Sequence, residues 1–191
     1  MRATASSTKP PHVERDYLRP EEVNALINAA AKVGRNGLRD QVLLRLMYRH
    51  GLRAGEAKAV RWTDFDLDHG RTFHVRRLKG SADSMHNLDR DELAALRKLR
   101  DASASPFVFV SERGGPISPD MIARIVQRAA EVAGLGFHVH PHMLRHSAGY
   151  MLANEGTDTR LIQDFLGHKN IQHTVRYTQL SAQRLAAVRV R

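Results

Sequence analysis

The spacing of apolar residues predicts that most of the chain is helical. Over several stretches apolar side chains recur every three or four residues, which places them on one face of a helix. This spacing predicts helices over about 19–33, 38–50, 54–60, 89–100, 119–133, 141–155, 159–166 and from 171 onward. Glycines such as Gly51 and Gly167 follow several of these stretches, as is typical of helix ends.

One region departs from the helical spacing. Between about 64 and 88 apolar and polar residues alternate, as at Phe73 and Val75, and a period of two is typical of strands. We therefore expect a small antiparallel sheet with a hairpin tip near 80–83, and a short buried extended segment over 106–110. The predicted fold class is α+β and mainly α-helical.

The two ends of the chain differ from its middle. Residues 1–16 are small and polar and include prolines, which predicts a disordered N-terminal arm. A compact domain is expected over 17–180, with a C-terminal tail over 181–191. No stretch approaches the run of about 18 apolar residues that a membrane helix needs. We expect a cytoplasmic protein that does not engage a membrane.

The composition excludes cysteine-based sites and favours an anionic partner. With 0 Cys, the chain has no disulfide, no thiolate zinc site and no cysteine nucleophile. Its 30 Lys and Arg residues outnumber its 20 Asp and Glu residues, which gives a formal net charge of +10 at pH 7, and 24 of the 30 are Arg. Because the planar guanidinium binds phosphate oxygens in pairs, this excess favours a phosphate-bearing partner. A basic surface that serves solubility is the alternative.

The predicted helix over 141–155 groups ionisable side chains on one face. At about 100° per residue, His142, Arg145, His146 and Gly149 share that face, and apolar residues share the opposite one. We therefore expect two imidazoles and a guanidinium to be exposed together. A solvated polar face is the alternative. A metal site is disfavoured, because the guanidinium would repel a cation and no Glu follows the first His.

Five short motifs follow one another in a family-specific order. They are GLRAGE at 51–56, KG at 79–80, HMLRH at 142–146, LGH at 166–168 and a tyrosine at 177. In order and spacing they resemble the arginine box, the lysine hairpin and the C-terminal signature of the tyrosine recombinases, the phage integrase family. The resemblance covers about two thirds of the chain, from Gly51 to Tyr177.

Within this family the chain resembles the short invertases that switch fimbrial promoters, with HPHMLRHS at 140–147, DTRLIQD at 158–164 and HTVRYT at 173–178. The resemblance implies the tyrosine recombinase catalytic-domain fold over 17–180, with a small three-stranded antiparallel sheet. It implies inversion, integration or excision of DNA through a 3′-phosphotyrosyl intermediate, without metal, ATP or any other cofactor. The implied partner is double-stranded DNA, with a monomer in solution and a homotetramer on paired DNA sites.

The resemblance also assigns the proton transfers. Tyr177 corresponds to the nucleophile, and a phenol with a reference pKa of about 10 needs a base at neutral pH. His142 is the implied base, and Lys79 is the implied acid that protonates the departing 5′ oxygen. The loop after Lys79 contains Asp83 and no second base, unlike that of many relatives. Tyr150, on the same predicted helix as His142, is the rival nucleophile.

The remaining matched residues are implied to bind the phosphate or to support the site. Arg53 and Arg145 would bind the charge on the non-bridging oxygens of the transition state, and His168 would donate a hydrogen bond to the phosphate. Glu56 resembles the acidic residue that orients the site. His146 is expected to support the site from behind the reacting groups.

A different function class is also compatible with the sequence. The predicted helices over 159–166 and 171–177 flank a glycine turn, and such a pair fits a helix-turn-helix that binds the major groove without catalysis. This alternative explains the positive charge. It does not explain Lys79, His142 and Tyr177 in the family order.

Overall fold

The computed structural model describes residues 15–78 and 81–179. Outside these described residues lie 1–14 of the predicted arm, residues 79–80 at the start of the predicted hairpin tip, residue 180 and the predicted tail. The last two residues of the predicted arm, Arg15 and Asp16, are described, and Arg15 donates a hydrogen bond to Glu22 at 2.7 Å. The helices within them are α1 (Pro20–Ala30), α2 (Gly37–Arg49), α3 (Ala54–Ala59), α4 (Arg90–Asp101), α5 (Pro119–Val132), α6 (Pro141–Asn154), α7 (Thr159–Leu166) and α8 (Gln172–Gln179). They confirm the predicted helical stretches, with small displacements at their ends.

Local capping explains where α7 begins and ends. The Asp158 side chain accepts hydrogen bonds from the backbone N–H groups of Arg160 at 2.7 Å and Leu161 at 3.3 Å, which have no partner inside the helix. At the other end Gly167 adopts the left-handed conformation, with φ of 64°. The turn after Gly167 leads the chain into α8, so α7 and α8 form a helical hairpin.

The region of alternating residues forms the predicted sheet. Strands β1 (Phe65–Asp66), β2 (Thr72–Val75) and β3 (Ser84–Asn87) pair antiparallel in the order β1-β2-β3. Phe73 lies opposite Phe65 on one side and His86 on the other, and the two phenylalanine rings stack at 4.4 Å. The segment over 106–110, predicted to be extended and buried, forms only isolated bridges to Arg61 and Pro116.

Two hydrophobic cores hold the helices together. The main core surrounds α2, whose Leu43, Leu44 and Met47 are fully buried. The smaller core lies among α6, α7 and α8 and consists of Tyr150, Ala153, Ile162, Leu166 and Tyr177. Helix α6 contributes to both cores, with Met143 and Leu144 facing the main core. It is therefore the element between the body of the domain and the α7–α8 hairpin.

The position of α6 corrects one prediction. Its polar face was expected to be exposed, but Arg145 is 0% and His146 is 7% exposed, and only His142 at the start of the helix faces solvent. Helical periodicity identifies residues that share a face, and it does not show whether a later part of the chain covers them. Here the α7–α8 hairpin covers them.

Among residues 15–78 and 81–179, no helix is long and apolar enough to cross a membrane.

Candidate active site

Three guanidinium groups surround one buried carboxylate at the centre of the site. Glu56, in the first turn of α3, accepts from Arg53 Nη1 at 2.7 Å and from Arg77 Nη1 at 3.0 Å, and Arg145 Nη1 lies 4.0 Å away. Burial raises the pKa of Glu56, but the Arg53 backbone N–H and the charges of Arg77 and Arg145 hold it below its ordinary value. The carboxylate therefore stays ionised, and the cluster keeps a net charge of two positive units.

The Arg145 guanidinium is fixed by backbone carbonyl groups from two distant parts of the chain. Its Nη1 donates to Gly51 O at 2.5 Å and its Nη2 donates to Leu166 O at 2.6 Å. Burial, followed by the charges of Arg53 and Arg77, lowers the pKa of Arg145 to about 9. This value is above neutral pH, so the group remains charged. A fixed positive charge of this kind needs little reorganisation to bind an anion.

Arg77 is a member of this cluster that the sequence analysis missed. It follows β2, and its side chain is fully buried, with Nη1 donating to Gly51 O at 3.3 Å and Nη2 donating to His50 O at 3.1 Å and to Phe165 O. A Cβ on Gly167 would lie 2.9 Å from Arg77 Cγ, so this glycine leaves room for the side chain.

The period of two in the sheet contains the signal for Arg77. Phe73 and Val75 face inward, and Arg77 continues the same alternation two residues later. An Arg on an inward position next to the candidate Lys79 hairpin is unusual, because buried Arg residues need partners.

The candidate nucleophile Tyr177 lies on α8 and is covered. It is 1% exposed, its hydroxyl lies 2.8 Å from His146 Nδ1, and the Tyr150 ring meets it edge-on at 5.0 Å. Its ring contacts α6 where the helix has no side chain, because a Cβ on Gly149 would lie 2.6 Å from the ring. The HMLRH motif and the tyrosine are therefore in direct contact.

The tyrosine and its imidazole partner both stay uncharged at neutral pH. Burial raises the pKa of Tyr177 to about 12, although Arg145 and Arg176 act in the opposite direction. Burial, together with the charges of His142 and Arg176, lowers the pKa of His146 to about 4. The protonated phenol can thus donate its hydrogen bond to a neutral imidazole.

The other two predicted histidines flank this pair. His168 follows α7, its Nδ1 lies 2.8 Å from Thr174 Oγ1, and its ring stacks near that of Tyr177 at 6.2 Å. Burial, followed by the charges of Arg145 and Arg53, lowers the pKa of His168 to about 3. His142 meets the His146 ring edge-on at 4.4 Å, and partial burial with the charge of Arg145 lowers its pKa.

The structure thus brings most of the predicted site residues into one region. Arg53, Glu56, Arg145, His146, His168 and Tyr177 are linked by the contacts above, and His142 lies at the edge of the group. Lys79 lies outside the described residues. At the base of its hairpin the Arg77 backbone N–H donates to Asp83 Oδ1 at 2.9 Å. The acidic residue that distinguishes this loop therefore fixes the end of β2.

Known proteins match both the sequence and the arrangement. The chain matches the Phage integrase family over residues 16–184. The chain belongs to the phage integrase family. One relative of this family member is the type 1 fimbriae regulatory protein FimE of Escherichia coli (strain K12), 42% identical over 182 residues, which are 92% of this chain and 91% of FimE. The FimB protein of the same strain is 39% identical over 181 residues, 92% of this chain and 90% of FimB.

A solved structure shows the same fold. The crystal structure of XerA recombinase superimposes with a TM-score of 0.78 at 29% identity, covering 93% of this chain and 64% of the XerA chain. This phage integrase family member is mainly helical with a small three-stranded antiparallel sheet, and its structural neighbours are tyrosine recombinases. Its family and its relatives show that it is a tyrosine recombinase that acts in site-specific DNA recombination.

Proposed function

We propose that Tyr177 attacks a phosphodiester of duplex DNA and forms a 3′-phosphotyrosyl bond, which a second DNA end later resolves. The observation that supports this most strongly is the hydrogen bond between the Tyr177 hydroxyl and His146, which holds the phenol close enough to Arg145 for that charge to act on it. The phenol is thereby held next to a buried guanidinium cluster. A phosphate bound to the cluster would lie near the nucleophile.

The cluster is suited to binding the transition state of phosphoryl transfer. Attack adds charge to the non-bridging oxygens, and fixed cationic donors stabilise that charge where water cannot reorganise. Arg53, whose side chain is 32% exposed, can turn toward a phosphate without leaving Glu56, and Arg145 supplies the second guanidinium. Arg77 binds carbonyl groups and Glu56, so its role is to add charge and to hold the site together.

The proton transfers are assigned to the imidazoles and the lysine. His142 is the expected acceptor of the Tyr177 proton, and His146 is the imidazole that contacts the phenol in this arrangement. Lys79 protonates the departing 5′ oxygen, and His168 donates a hydrogen bond to the phosphate. Because the phosphotyrosyl bond conserves the energy of the phosphodiester, rejoining needs no ATP. The guanidiniums bind the charge of the phosphate, as a metal ion would in other enzymes.

Duplex DNA is the proposed partner, and the proposed outcome is inversion, integration or excision of a DNA segment. The net charge of +10 supports binding to the phosphate backbone. We propose that the chain is a monomer in solution and that four chains assemble on two paired DNA sites. Light scattering of the chain mixed with paired sites tests this, and a complex that never exceeds two chains would contradict it.

Covalent capture of DNA tests the proposed function. A pool of nicked duplexes with randomised sequence serves as suicide substrate, because loss of the short fragment beyond the nick prevents rejoining. We expect the wild-type chain to form a protein–DNA adduct that survives SDS, and sequencing of the captured DNA gives the target site. Tyr177→Phe should abolish the adduct and Tyr150→Phe should retain it. A non-catalytic helix-turn-helix protein would instead bind DNA in a salt-sensitive way and give no adduct.

A further inference from the structure

A short N-terminal segment lies against the helices that hold the nucleophile. We call residues 15–18 the strap. The backbone N–H of Leu18 donates to Ser147 Oγ of α6 at 2.7 Å, in a buried contact. The Tyr17 ring lies 4.2 Å from that of Tyr150, which in turn contacts Tyr177. The strap therefore packs on α6 beside the small core that contains the nucleophile.

Asp16 connects the strap to two residues that lie near Tyr177, namely His146, which contacts its hydroxyl, and Arg176, whose guanidinium lies 5.9 Å from its ring centroid. Its carboxylate forms an ion pair with Arg176, the residue that precedes Tyr177 on α8. The same Oδ2 lies 3.9 Å from Nε2 of His146, whose other ring nitrogen contacts the phenol. Among the described residues, Asp16 is the carboxylate that links α8 to the N-terminal end of the domain.

The arrangement that these contacts hold is not a reactive one. Tyr177 is 1% exposed, so a phosphodiester cannot approach its hydroxyl. Burial holds the pKa of the phenol above its ordinary value and that of His146 below its own, which disfavours transfer of the proton between them. Attack on DNA therefore requires α8 to shift relative to α6 and the strap.

We propose that Asp16 is a positioning residue that restrains α8 before cleavage. Its ion pair with Arg176 holds α8 in the covered arrangement until a DNA phosphate replaces the carboxylate. Phosphate and carboxylate oxygens both accept charge-assisted hydrogen bonds from a guanidinium, so a phosphate can replace Asp16 Oδ2 as the acceptor for Arg176 Nη2. The side chains of Asp16 and Arg176 are 41% and 44% exposed, which leaves the pair open to an incoming anion. This proposal rests on the proposed role of Tyr177 as nucleophile.

The substitution Asp16→Asn removes the charge and keeps the size of the side chain. Adduct formation is measured in a single turnover on the captured site, at DNA concentrations that saturate each protein. We expect Asp16→Asn to form the adduct about two to five times faster than the wild type, the range for losing an exposed ion pair. Asp16→Glu, which keeps the charge, should match the wild type. Asp101→Asn makes the same charge change at the exposed end of α4 and should also match it.

A second measurement reports the position of the tyrosine directly. The chain contains 4 tyrosines, so 3-fluorotyrosine labelling gives few ¹⁹F resonances, and Tyr177→Phe identifies that of Tyr177. In the DNA-free protein, Asp16→Asn should increase the solvent isotope shift of this resonance, which measures exposure of the ring. Asp101→Asn should leave it unchanged. A merely destabilising substitution would lower the unfolding midpoint without this selective change.

The outcomes separate this proposal from the one on which it rests. If Asp16→Asn forms the adduct at the wild-type rate or more slowly, Asp16 does not hold the covered arrangement and the proposal is overturned. A slower rate would instead indicate that Asp16 supports His146 during proton transfer. If the wild type forms no adduct, or if Tyr177→Phe still forms one, the proposed function itself fails.

Discussion

Gly149 determines whether the Tyr177 ring can lie against α6. A glycine inside a helix costs up to about 1 kcal/mol relative to alanine, so its presence in α6 needs a compensating reason. The reason is the close approach of the tyrosine ring, which leaves no space for a Cβ. At the scale of single residues, the site therefore depends on an absent side chain as well as on charged groups.

We predict that Gly149→Ala destabilises the protein. The added methyl group would lie 2.6 Å from a rigid ring, so α8 or the ring must shift. Overpacking of this kind costs about 1–3 kcal/mol in the free energy of unfolding, more than the gain in helix propensity. Urea unfolding measures the change.

Gly136→Ala is the matched control for this prediction. Gly136 lies in an exposed loop, and a Cβ there meets nothing within 4 Å. The control should leave the free energy of unfolding unchanged or raise it by up to about 1 kcal/mol. Equal stability of the Gly149→Ala and wild-type proteins would show that the tyrosine ring is not packed on α6.

Some residues of the site could be predicted from the sequence, and others could not. The motifs GLRAGE and HMLRH identify Arg53 and Arg145 by local order alone. Arg77 was missed, although the alternation in β2 gives its inward direction. The burial of Arg145 and His146 could not be predicted, because it depends on a hairpin of helices that follows later in the chain.

At the scale of elements, a chain of buried polar side chains ties β3 to α2 and α4. His86 Nε2 lies 2.8 Å from Ser84 Oγ, and His86 Nδ1 lies 3.2 Å from His50 Nδ1. His50 Nε2 lies 3.2 Å from Glu92 Oε1. One of the two facing Nδ1 atoms must donate and the other must accept, so full protonation of both rings is incompatible with this contact.

We predict that these hydrogen-bonded histidines make the protein less stable in acid. Burial, followed by the charges of His50 and Arg77, lowers the pKa of His86 to about 3 from 6.5. Between these values the unfolded state binds a proton that the folded state does not, so the free energy of unfolding falls as pH decreases. From pH 7 to pH 5 a single such group costs about 2 kcal/mol.

The substitution His86→Asn tests the assignment of this pH dependence. Urea unfolding at pH 7 and pH 5 should show that the variant loses about 2 kcal/mol less on acidification than the wild type. His146 and His168, whose pKa values are also lowered, continue to contribute in both proteins. Identical losses in the two proteins would mean that His86 is protonated as readily in the folded state as in the unfolded state.

The elements were predictable because their signals are local. A capping residue such as Asp158, a terminal glycine and the period of apolar residues act within one or two turns, and all are visible in the sequence. The segment over 106–110 was predicted as an extended piece, and it pairs only through single bridges. Its pairing depends on where distant residues lie, which local patterns do not contain.

In the molecule as a whole, part of the positive charge is concentrated around the candidate active site. Three guanidiniums converge on Glu56, and a further Arg, at 176, pairs with the strap beside the nucleophile. The strap contacts could not be predicted, because they join residues 129 and 160 positions apart in the chain. The fold thus brings the N-terminal strap next to α6 and to α8, the last helix of the described residues.

The identity of the residue that becomes linked to DNA tests most directly whether Tyr177 is the nucleophile. After reaction with the suicide substrate, the adduct is digested with nuclease and trypsin and analysed by mass spectrometry. We predict that the nucleotide remnant is on peptide 177–184, which begins with Tyr177. A remnant on peptide 146–160, which contains Tyr150, or the absence of any modified peptide, would contradict the assignment of Tyr177 as the nucleophile.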